Sequence, residues 1–187
     1  MVHLFNILFI IALGYNTFPL ALGQNRDHRN SHLKNIFLAT IFGLIQGVMY
    51  HLGDLLGNTF MHLFVKRYKW VVFGILAAVA VRMAIEAFNI RKGSRLFSFD
   101  NYSKFFIMTV SAGINTFIVG MAGFHFMPYG NLLPLLLVAA GFAWSIAGIS
   151  MNISRVNIIL SSVFQFFAAG IILLIGFLYL FTKLWAA

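Results

Sequence analysis

Six runs of mostly apolar residues, separated by short polar connections, constrain this chain more than any other feature. Each is close to the roughly 20 residues that an α-helix needs to cross the hydrocarbon of a bilayer. The runs fall at about 2–23, 36–57, 70–90, 104–126, 131–152 and 157–183. With 61% hydrophobic and 9% charged residues among 187, the chain has too much apolar surface for one water-soluble core. The expected class is therefore all-α, an integral membrane bundle of six helices with the lipid bilayer as its first partner. The first run has the alternative of a cleaved signal peptide ending at Ala21-Leu22-Gly23, but no basic residue precedes its apolar stretch, so it is read as a helix.

The net charge of +9 does not point to nucleic acid, because the Lys and Arg residues lie in connections beside the spans. Placing both termini outside the cytoplasm puts eight of them inside (Arg26, Arg29, Lys34, Arg91, Lys92, Arg95, Lys104, Arg155) and four outside (Lys66, Arg67, Lys69, Lys183). The positive-inside rule selects that orientation; the expected membrane is the cytoplasmic membrane of a bacterium. Cysteine is absent, which removes thiolate metal sites and disulfides. No nucleophile–base pair, histidine cluster or cofactor loop appears, so neither an enzyme nor a cofactor is expected.

Two polar segments interrupt the apolar pattern at matching places. Gly14-Tyr15-Asn16-Thr17-Phe18-Pro19 lies in the first run and Gly113-Ile114-Asn115-Thr116-Phe117 in the fourth, with Asn16 and Asn115 separated by 99 positions. A buried amide needs a partner in the protein or a permeating ligand. The chain reads as two repeats of three spans, 1–90 and 104–187, joined by a cytoplasmic linker, 91–103, within one membrane domain. The first and fourth spans would then enter from opposite sides, and their amide-bearing kinks would meet at mid-membrane. Candidate substrate-binding residues are Asn16, Thr17, Gln46, Asn115 and Thr116.

Other polar residues have structural readings. In the second run Gly43, Gln46, Gly47, Tyr50, Asp54 and Gly57 form one helical stripe. Gly43 with Gly47, and Gly53 with Gly57, suit close helix packing. Arg82 and Glu86, one turn apart, form an expected ion pair that lowers the cost of carrying either charge into the bilayer. Asp54 and Glu86 are the residual acids available to a site. Ser161, Ser162 and Gln165 lie near the start of the sixth run, whose later part reads as lipid-facing.

Four of these segments resemble, in order, the helix motifs of the MntP manganese efflux pumps of the LysE-type transporter group. They are Ala12 to Ala21, Ile41-Phe42-Gly43-Leu44-Ile45-Gln46-Gly47, Arg82-Met83-Ala84-Ile85-Glu86-Ala87-Phe88 and Ser111 to Gly120. The third is similar to an Arg-Met-x-x-Glu-Gly-Phe signature. The resemblance implies a six-helix transporter that exports a small cation. It also implies aspartates at the positions of Asn16 and Asn115 and a glutamate at that of Gln46, where this chain has neutral amides. A divalent ion in a low-dielectric site calls for anionic oxygens, so the substitutions argue against manganese and leave the metal unassigned. The second reading is a non-transporting membrane subunit, packed against partner proteins or copies of itself, with its site closed by amide-to-amide hydrogen bonds.

Overall fold

The computed structural model describes residues 2–22, 32–60, 67–92, 102–122, 132–151 and 153–181; all regular structure among them is helical. The first span is composite: α1 (Val2–Gly14), a 3-10 turn (Tyr15–Thr17) and α2 (Phe18–Leu22). The others are α3 (His32–Phe60), α4 (Tyr68–Arg91), α5 (Tyr102–Ala122), α6 (Leu132–Ser150) and α7 (Arg155–Phe181). All six spans are long and apolar enough to cross a membrane. The second is longer than its apolar run: 29 residues reach about 43 Å, beyond the roughly 30 Å of hydrocarbon, so polar residues such as His32, Lys34 and Asn58 extend the helix into the interface.

Pro19 explains the composite first span. It has no N–H to donate to the carbonyl of Tyr15, four residues back, and the N–H of Phe18 takes that carbonyl instead in a 3-10 bond. The hydroxyl of Thr17 lies 3.1 Å from the carbonyl of Gly14. Gly14 and Phe18 both keep right-handed helical dihedrals, so the turn tightens the helix without breaking it. The matching segment in α5 has no such turn, which corrects the expectation of two kinks. Position 118 is isoleucine, not proline, and an unbroken α-helix runs through Asn115.

The helices pack in a cross-linked pattern. α3 lies against α5 and α6, α4 against α7 and α5, and the first span against α6 and α7. Every extensive interface among the described helices joins one before residue 92 to one after residue 102. Glycines allow the closest approaches. The place where a β-carbon of Gly53 would sit is filled by the carbonyl of Phe117 on α5. At Gly148 on α6 it would fall 2.6 Å from the carbonyl of Phe18. Phe18 and Phe117 hold equivalent places in the two polar segments, so the same contact occurs twice.

The stripe on α3 turns out to serve two neighbours. Gly43 and Gly47 meet Val138 of α6, whereas Gly53 and Gly57 meet Phe117 and Met121 of α5. The later part of α7 has a lipid face of Leu173, Leu174, Phe177 and Phe181, but Ile172, Ile175 and Tyr179 are buried in the main core. The linker residues 93–101 lie outside the described residues.

Candidate functional site

The polar segments of the first and fourth spans form two buried polar clusters, candidate half-sites, and the 3-10 turn that holds Asn16 packs against α5. In the first half-site, Gln165 of α7 donates its amide N–H to Asn16 Oδ1 at 2.9 Å. The Thr17 hydroxyl also lies 3.0 Å from the carbonyl of Gly141 on α6, so one proton serves the Gly14 and Gly141 carbonyls. Tyr15 donates to the carbonyl of Ser161 at 3.3 Å. Every side chain in this half is neutral.

In the second half-site, Asn115 donates to Glu86 Oε2 at 3.2 Å. Glu86 Oε1 is 3.4 Å from Arg82, whose guanidinium also reaches the carbonyl of Ser111 at 3.2 Å. Thr116 donates to Gln46 Oε1. The carboxylate is 5% exposed and the guanidinium 28%, so the positive end of the pair lies nearer the helix surface. Among the described residues Glu86 is the carboxylate bonded to these amides, and Arg82 offsets its charge.

Asn16, Thr17, Gln46, Asn115 and Thr116 are all buried. Their bonding still leaves groups over. Asn16 Nδ2, Gln165 Oε1, Asn115 Oδ1, Gln46 Nε2, Ser145 Oγ and Ser161 Oγ have no partner among the described residues. Each unsatisfied buried group costs about 1–3 kcal/mol, so several in one region favour a polar ligand or water. Turning both amides of the Asn16–Gln165 pair over would keep their bond and only exchange which residue presents the unpaired N–H and which the unpaired oxygen. In either orientation the pair offers a guest both a donor and an acceptor.

Asn16 and Asn115 are not bonded to each other; each is met by a side chain from a third helix. Glu86 joins the amides, whereas Asp54 lies eight residues along α3 from Gln46, a distance of about 12 Å. Gln165 is the central residue missing from the candidates chosen by sequence. Its signal was the helical spacing of Ser161, Ser162 and Gln165, all of them buried. Asn6 was missed as well. It is buried with both amide atoms unpartnered, about 15 Å along the first span from Asn16. Groups of three or more His, Cys, Asp or Glu side chains able to hold a metal do not occur among the described residues.

A family model described as "Putative manganese efflux pump" matches residues 30–180. The chain belongs to the MntP family. Curated MntP relatives carrying the same description include one from Bacteroides thetaiotaomicron, 26% identical over 78% of each chain. Others come from Methanosarcina acetivorans, 29% identical over 74% of each chain, and Rippkaea orientalis, 29% identical over 78% of this chain and 79% of its own. No solved structure gives a significant match. MntP membership and six apolar helices make this a multi-pass membrane protein of an efflux-pump family.

Proposed function

We propose that this chain is a secondary transporter of the bacterial cytoplasmic membrane that exports a small cation of low charge. The observation that carries the reading is the electrostatic balance of the half-sites. Their amides and hydroxyls are buried and incompletely bonded, while Glu86 is already paired with Arg82. Neutral oxygens can replace part of the hydration shell of a singly charged ion. They compensate a divalent ion poorly, because two charges in a low dielectric call for anionic ligands. The relatives' description as manganese pumps therefore carries over as a mechanism class more readily than as a substrate.

The pairing of spans supports an inverted duplication. Exchanging first with fourth, second with fifth and third with sixth leaves the set of extensive interfaces unchanged. The same exchange relates Asn16–Gln165, between the first and sixth spans, to Asn115–Glu86, between the fourth and third. Alternating access around such a centre, with both termini outside, accords with the basic residues flanking the spans.

The amide bonds also favour a second reading, a membrane subunit whose former site is closed, since Asn16, Gln46 and Asn115 each have a partner. Cation flux into proteoliposomes separates the two. The natural chain is compared with Asn16→Asp, Gln46→Glu, Asn115→Asp combined. Flux of a monovalent cation by the natural chain, with manganese flux gained only by the variant, is the expected result. Manganese flux by the natural chain would refute the low-charge assignment, and flux by neither chain favours the subunit.

A further inference from the structure

A second feature lies away from the amides, where α4 ends beside the start of α7. Arg91, Lys92, Ser154 and Arg155, with Ile158 and Ile159, line a cleft of about 350 Å³. Three cations thus converge on one concavity. Among the described residues none of them is paired with a carboxylate: Glu86 is held by Arg82, and Asp54 lies on α3. Ser154 caps α7 through its hydroxyl, which accepts the N–H of Asn157 at 3.1 Å. The earlier N–H groups of that first turn, on Arg155 and Val156, have no intrahelical acceptor and add positive potential at the cleft.

We propose that this cleft binds a phosphate group, supplied by the headgroup of an anionic lipid. Arginine forks and a lysine ammonium suit phosphate oxygens, and a basic recess between helix ends at the membrane surface is where a headgroup sits. The lipid source is argued from the neighbourhood. Ile159, which lines the cleft, and Phe88, one turn before Arg91 on α4, are both exposed, so acyl chains would find apolar side chains beside the headgroup site. A bound lipid would bridge α4 and α7 across the interface that carries both Glu86 and Gln165.

The test uses the purified full-length chain in neutral detergent micelles, with dissociation constants read by native mass spectrometry. Phosphatidylglycerol and phosphatidylcholine are added in separate arms, and inorganic phosphate without lipid in a third. Phosphatidylglycerol is expected to bind and phosphatidylcholine is not. Removing each cation should weaken binding about fivefold, and Arg91→Gln, Lys92→Gln, Arg155→Gln together roughly a hundredfold. Lys69→Gln, at the other end of α4, should change nothing. Should the triple variant fail to fold, Arg155→Gln alone must still show its fivefold loss. Binding of inorganic phosphate that the triple variant loses, with no preference between the lipids, would overturn the lipid source and support the phosphate site. Equal binding of both lipids without phosphate binding, an unaffected triple variant, or an equal loss in Lys69→Gln would overturn the proposal.

Discussion

The half-site around Asn16 and the half-site around Asn115 begin from the same Asn-Thr-Phe tripeptide, yet they differ in electrostatics. Asn16 is met by another amide, Gln165, while Asn115 is met by a carboxylate, Glu86, which Arg82 neutralises in turn. Backbone differs too: a proline two residues after Thr17 gives a 3-10 turn, and isoleucine at 118 leaves α5 regular. The helix that faces each segment thus sets its chemistry. The same tripeptide stands in two spans, and in each the partner decides whether the asparagine stays in neutral surroundings or sits beside a charge.

The largest effect should come from adding a charge to each half in turn. Asn115→Asp would place a carboxylate against Glu86, and two like charges about 4 Å apart cost roughly 4 kcal/mol at an effective dielectric of 20. Asn16→Asp meets only Gln165 and escapes that repulsion. Thermal unfolding in detergent should therefore show Asn115→Asp as the less stable variant, with divalent cations recovering part of the loss. Equal destabilisation would break the distinction between the halves.

Arg82→Met should cost about 3 kcal/mol by leaving a buried carboxylate unpaired, and adding Glu86→Gln should recover most of it. A double-mutant cycle of unfolding free energies checks the coupling. In the neutral half, Gln165→Leu removes one hydrogen bond and should cost only about 1 kcal/mol. The ratio between these two losses measures how far the halves differ.

Gly53→Ala and Gly148→Ala should each cost about 1–3 kcal/mol, because a methyl group would press on the Phe117 and Phe18 carbonyls. Gly74→Ala is the counterpart. No atom lies within 4 Å of its added β-carbon, so the substitution should be neutral or gain up to about 1 kcal/mol in helix propensity. Unfolding midpoints of the three variants rank them directly.

Much of the fold was legible because apolar runs of spanning length leave few alternatives, and Pro19 announced the irregular turn beside Asn16. The regularity of α5 was harder to read, since Gly113 and Asn115 resemble helix breakers only until backbone bonding and a side-chain partner are supplied. The partner of Asn16 lies 149 positions away, a separation at which local pattern carries no information about contact. The spacing of Gln165 with Ser161 and Ser162 marked a polar face, but only packing revealed what it faces. Asn6 gave no local signal, for a single amide in an apolar run has no periodicity.

The interleaving of spans has a consequence for biogenesis. The first three helices cover little of one another, so until the last three are synthesised their glycine-lined grooves and the ion pair on α4 must face lipid or an insertion factor. Ribosome-tethered chains halted before α5 should therefore be open to protease and to crosslinking with the insertion machinery, and the molecule should close in one step when its C-terminal helices arrive.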